Sequence, residues 1–303
     1  MTRAVVDELK DRMGRVRDRL DHPQLRDARR LLGTRADVVM LGESVLVWVG
    51  PHDKDRRTLP AMVADGLKPE RSLTAVSGGG YHADLLTAYL ELLARLPHRP
   101  RAVVLPLWTR GRLQPWIDHP RFGHHDALQR LRHLDPATAS WRVRGSLKRG
   151  GNWGAYYQVP YETLLGPGTV GDYARPLKDG SVTGDERLRL LYAYHHGGVI
   201  EPTAFTALGR AAGALGVPVV VYQAPVSVAT GERVLPGLAQ RVAENFAAAD
   251  AAFRAGLDVP VLQTGTAFGE DAFIDPTDGS EHLNEQGRRH LADLLVAELR
   301  ERL

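Results

Sequence analysis

Val38-Val39-Met40-Leu41-Gly42-Glu43-Ser44 is the stretch that decides the fold. Its first four residues are apolar at both odd and even positions, and the run stops at Gly-Glu-Ser. A run this short and this uniform fits a strand buried on both faces. Four further runs share its character: Leu73 to Val76, Ala102 to Leu107, Val217 to Tyr222 and Val259 to Leu262. Helical patterns separate most of them, over 57–65, 82–96, 203–215 and 236–256, and a last helix over 284–302 packs back on the sheet. Strand–helix alternation predicts an α/β fold with a mainly parallel sheet. The architecture expected is a three-layer sandwich with a flavodoxin-like sheet of about five strands.

Upstream of this core, Val5, Leu9, Met13, Val16 and Leu20 recur at helical spacing and predict one amphipathic helix over 4–32. Downstream, the rhythm breaks between Thr109 and Gly184. That segment holds Trp116, Trp141 and Trp153 with many Gly and Pro residues. It is too long for bare loop in a compact domain. The expectation is one domain over 1–303, with 109–184 as an insertion over the carboxyl edge of the sheet. The insertion is expected to be partly helical at 125–134 and 153–165, and 185–198 to be a helix leading back to the core.

Composition narrows the function classes. The chain has 303 residues, 43% hydrophobic and 25% charged, as a soluble globular protein with a real core requires. Lys+Arg 39 against Asp+Glu 36 leaves a net charge of +3. No basic stripe gathers to suggest nucleic acid. No apolar run approaches the ~20 residues of a membrane span. Cys is absent, which removes disulfides, thiolate metal sites and Cys nucleophiles together. The charged N-terminus has no apolar core of a signal peptide, so a cytoplasmic protein is expected.

In open α/β sheets, chemistry sits beyond the carboxyl ends of the strands. The residues found there are Gly42-Glu43-Ser44 after the first run, Ser77-Gly78-Gly79-Gly80-Tyr81-His82 after the second, and Trp108-Thr109-Arg110 after the third. Asp275, Asp278, Glu281 and His282 precede the last helix. A Ser, a Gly-rich backbone, an Asp and a His are the parts of an acyl-transfer site.

The order of these blocks resembles the SGNH (GDSL-like) hydrolase and acyltransferase superfamily. Leu41-Gly42-Glu43-Ser44-Val45 corresponds to its Gly-Asp-Ser block, and Val76-Ser77-Gly78-Gly79 to its oxyanion glycine. Asp278-Gly279-Ser280-Glu281-His282 corresponds to its Asp-x-x-His block, with one residue more. The resemblance covers 36–300 apart from the insertion. Glu43 stands where the family has Asp. Leu105-Pro106-Leu107-Trp108-Thr109-Arg110 stands where the family has a Gly-x-Asn-Asp block. The resemblance implies Ser44 as nucleophile and His282 as general base. It implies Asp278 as orienting acid, with Asp275 as its competitor. Oxyanion donors are then the backbone N–H groups of Ser44 and of Gly78 or Gly79, with Arg110 in place of the missing Asn. Glu281 is expected to cap the last helix or line the pocket, and Trp108, Tyr81 and His82 to contact substrate. The implied substrate is a small acyl ester or an acylated sugar or natural product, and no cofactor is needed.

Two other classes stay open: a non-catalytic carbohydrate-binding member of the fold, and a nucleotide- or phosphate-binding protein using the Gly run and Arg110. No metal site is expected. His195 and His196 are adjacent and cannot chelate from one helix face, and His119, His124 and His125 lack the spacing of a metal motif.

Overall fold

Five parallel strands form one sheet in the order β2-β1-β3-β4-β5. The computed structural model describes residues 23–117, 124–132, 182–274 and 281–303. The strands are β1 (Val38–Glu43), β2 (Leu73–Gly78), β3 (Ala102–Leu107), β4 (Val219–Gln223) and β5 (Val261–Leu262). Strands β1, β3 and β4 are buried at every position, as their uniformly apolar runs require.

Alternate residues of these strands feed two cores. Val39, Leu41, Val103, Leu105, Val219 and Val221 face one side. There they meet α1 (Pro23–Gly33), α3 (Ala83–Ala94), α7 (Thr203–Ala214) and α9 (Leu238–Arg254). Val38, Met40, Ala102, Val104, Val220 and Tyr222 face the other. There they meet α2 (Leu59–Leu67) and α10 (Glu285–Arg302). This is the expected three-layer, flavodoxin-like sandwich. Its topology switches between β1 and β3, which both leave the centre of the sheet in opposite directions. Such a switch opens a crevice beyond the strand ends.

Within the segment read as an insertion, the described elements are α4 (Gln114–Ile117) and α5 (His125–Arg132); α6 (Gly184–His196) leads back to the core. The helix expected over 153–165 lies outside the described residues, as does most of the one expected over 4–32. Of that span, residues 23–32 are described and lie in α1. The helix expected over 236–256 is present as α9; a separate short helix that the pattern did not announce, α8 (Val228–Val234), precedes it. Gly237 divides them at φ 87°, a left-handed conformation that other residues avoid. No helix among the described residues is long and apolar enough to cross a membrane.

Candidate active site

Ser44 is delivered by the end of β1. A 3-10 turn over Ser44–Leu46 follows the strand at once, with Glu43 as its N-cap. The turn folds tightly because Gly42 has no side chain: a Cβ there would sit 2.6 Å from Leu46 Cδ1. Glu43 Oε2 accepts the Ser44 backbone N–H at 3.0 Å and the Ser44 hydroxyl at 2.9 Å. One carboxylate oxygen therefore holds both donors of the nucleophile candidate. The Ser44 N–H, expected to serve an oxyanion, is engaged by Glu43 in this structure.

His282 comes from the opposite end of the chain. Phe273 and Leu283 form an isolated antiparallel bridge, and the Ile274 N–H donates to the His282 carbonyl at 2.9 Å. His282 thus stands beside this bridge. The next residues fix its backbone. Asn284, not Glu281, caps α10, accepting from the Gln286 and Gly287 N–H groups. The fully buried Arg288 donates to the Leu283 carbonyl and pairs with Asp53 at 2.6 Å. The His282 ring stacks on Trp48, with centroids 4.8 Å apart and planes 12° apart. Its Nε2 lies 3.4 Å from Ser44 Oγ. Its Nδ1 has no hydrogen-bond partner among the described residues. Both candidate acids, Asp275 and Asp278, fall outside those residues. Burial, aided by the Arg110 charge, pulls His282 down to about 4, so its imidazole is neutral at pH 7.

Arg110 follows β3 and is buried at the centre of the site. Its guanidinium lies over the rings of Trp108 and Trp116, 4.9 and 4.7 Å from their centroids. Nη1 pairs with Glu281 at 2.7 Å and Nη2 with Glu43 at 3.4 Å. Glu281 is also reached by Trp108 Nε1 at 3.3 Å, and His196 Nε2 stands 3.6 Å away. Burial holds His196 down at about 3, so it is a neutral neighbour and not an ion-pair partner. Two buried carboxylates thus share one guanidinium. Burial raises both, and the proximity of Glu281 adds to the rise of Glu43, which reaches about 7.

A cleft of about 690 Å³ opens beside these groups, at the topological switch. Ser44, Gly78, Gly79, Tyr81, Arg110 and Trp116 line it, and α1 adds Gln24, Arg26, Asp27 and Arg30. Gly78 lets Tyr81 pack against the strand end, since a Cβ would meet that ring at 2.5 Å. Tyr81 in turn donates to Asp27. His82, Trp108 and Glu281 do not line the cleft. His82 precedes α3, buried and stacked on His124 at 5.6 Å. Trp108 and Glu281 hold Arg110 instead. Trp153 lies outside the described residues. Among the described residues, no group of three His, Asp or Glu side chains is gathered to hold a metal.

Sequence reasoning placed Ser44, the glycines and Arg110 just at the ends of β1, β2 and β3, and His282 just before α10, where the structure has them. It missed Glu43 as a partner of the Ser44 hydroxyl, Trp48 as the floor under His282, and the contribution of α1 to the cleft. A carboxylate directly before the candidate Ser was the available signal for the first of these.

No family model matches the chain, and no curated protein matches it. Among solved structures it is similar to an aryl esterase of M. smegmatis. The inhibitor-bound form aligns at 14% identity with a TM-score of 0.37, covering 88% of this chain and 100% of that one. The native form aligns at 13% identity with a TM-score of 0.36, covering 88% and 99%.

Proposed function

We propose that this chain is an SGNH-like serine ester hydrolase or acyltransferase that works through an acyl-enzyme. One observation carries the reading. The Ser44 hydroxyl stands between a carboxylate oxygen at 2.9 Å and an imidazole nitrogen at 3.4 Å, at the wall of a cleft at the switch point. Nucleophilic catalysis by a hydroxyl requires an adjacent proton acceptor, and the Ser44 hydroxyl has two within reach.

Ser44 Oγ attacks the ester carbonyl carbon. The backbone N–H groups of Gly78 or Gly79 receive the oxyanion, and the positive charge of Arg110 supports it from the same cleft. His282, neutral at working pH, is the general base that the second half-reaction needs: it removes a proton from water or from an acceptor hydroxyl. Asp278, or Asp275 as its competitor, supplies the carboxylate that orients His282 through Nδ1. The residues from 109 to 184 set substrate choice, with Trp116 already on the cleft wall. The substrate class is a small acyl ester, free or on a sugar or natural product.

A panel of 4-nitrophenyl esters of increasing chain length, with and without an added acceptor alcohol, tests the reading. Saturable release of nitrophenolate from short-chain esters is expected. A shift of product from acid to transferred ester on adding the alcohol would mark a transferase. Release no faster than in buffer across the whole panel would count against the proposal.

A further inference from the structure

The Ser44 hydroxyl carries one proton and can donate it to one acceptor at a time. In the resting structure the shorter contact is to Glu43, at 2.9 Å, and the longer one is to His282, at 3.4 Å. We propose that Glu43 is a catalytic residue, the base that takes the Ser44 proton in the acylation step, leaving His282 to serve the second step. This rests on the acyl-transfer reading above and adds a residue to it.

The surroundings of Glu43 decide whether it can act as a base. Its side chain is 2% exposed, so water does not compete for the proton. The charged and titratable groups facing it come from three elements. Arg110 follows β3, Tyr222 belongs to β4, and Glu281 and His282 precede α10. From β2, Glu43 is paired in register with Gly78, which carries no charge. Arg110 is the one cation among these groups, and it is shared unequally. It sits 2.7 Å from Glu281 and 3.4 Å from Glu43. Glu43 therefore shares its counter-charge with a second carboxylate and does not hold it alone. Among the described residues, the other oxygen of Glu43, Oε1, is buried with no hydrogen-bond partner. The rise of Glu43 to about 7 suits a general base working near neutral pH.

The Ser44 O–H bond breaks and its proton passes to Glu43 Oε2, while Oγ forms a bond to the acyl carbon. The carbonyl pair moves onto oxygen. It returns as the bond to the leaving group breaks, and the leaving oxygen takes the proton from Glu43. The carboxylate is restored. His282 then removes the proton of the water or alcohol whose oxygen bonds to the acyl carbon; as the Oγ–acyl bond breaks, Ser44 Oγ takes that proton from His282, and both side chains are restored.

The test is the rate of Ser44 phosphonylation by a fluorophosphonate, followed by intact mass from pH 4 to pH 9. This measures attack by Ser44 without requiring the natural substrate. If Glu43 is the base, the rate falls about tenfold per pH unit below a midpoint near 7. Glu43→Gln, which keeps an acceptor oxygen at the cap, then lowers the rate at pH 8 by at least about a hundredfold and removes that limb. A limb near 4, where His282 titrates, overturns the proposal, as does a folded Glu43→Gln that reacts like the parent. Should Glu43→Gln not fold, the position of the parent limb alone decides. If Ser44 is not phosphonylated at any pH, the acyl-transfer reading itself falls, and this inference with it.

Discussion

Ser44→Ala is expected to lower kcat/KM for ester turnover by about 10⁴-fold or more while leaving the fold intact. The magnitude follows from the chemistry. Without Oγ there is no acyl-enzyme, and the cleft retains only its capacity to bind and polarise an ester. The fold survives because the hydroxyl contributes one hydrogen bond, to Glu43, of a kind worth ~0.5–1.5 kcal/mol net. The backbone N–H of position 44 still bonds Glu43, so the cap of the 3-10 turn remains. Steady-state kinetics on the best ester of the panel, with a thermal melt of the same sample, is the measurement. A folded Ser44→Ala within about tenfold of the parent would assign the chemistry elsewhere.

Arg110→Ala is expected to have the largest effect on stability. Arg110 is the shared counter-charge of Glu43 and Glu281, whose side chains are 2% and 1% exposed. Removing one partner of a buried pair leaves uncompensated charge and costs about 3–5 kcal/mol. Loss of the guanidinium stacked between Trp108 and Trp116 adds a cavity. The cost depends on pH in a defined direction. Both carboxylates already sit above their ordinary range in the folded protein, and loss of Arg110 lifts them further. A carboxylate raised on folding gives stability that is present below its unfolded value and lost as pH rises through its folded value. The variant is therefore least destabilised near pH 5 and most destabilised near pH 8. Urea unfolding of parent and variant at the two pH values measures this. Activity falls by at least about tenfold, because the cleft also loses its positive charge. A destabilisation below about 1 kcal/mol, equal at both pH values, would place Arg110 outside a buried ion-pair network.

How much of this was legible in the sequence follows from how local each cause is. The strands were legible because burial on both faces leaves a mark in each run separately, as in Val38 to Leu41 and Ala102 to Leu107. The short helix α8 was not, because the 7 residues from Val228 to Val234 are too few to leave a periodic apolar face. Ser44 and His282 were legible from order and strand ends, although 238 residues separate them. The pairing of Arg110 with Glu281 was not, because an ion pair between distant segments leaves no periodic trace. Glu281 was read as a helix cap or pocket residue, but the cap is Asn284, two residues beyond His282. His82 and Trp108 sit at the right strand ends and still do not line the cleft, because Tyr81 and Arg110 stand in it. The choice between Asp275 and Asp278 falls outside the described residues, and the Asn substitution of each in turn addresses it.

An acyl-enzyme on Ser44 requires a nucleophilic Oγ, and the intact and peptide mass of the chain after reaction with a fluorophosphonate reads that nucleophile out. One adduct per chain is expected, on the peptide containing Gly42-Glu43-Ser44, and none in Ser44→Ala. A chain that stays unmodified, or that carries its adduct on another residue, would contradict an acyl-enzyme on Ser44.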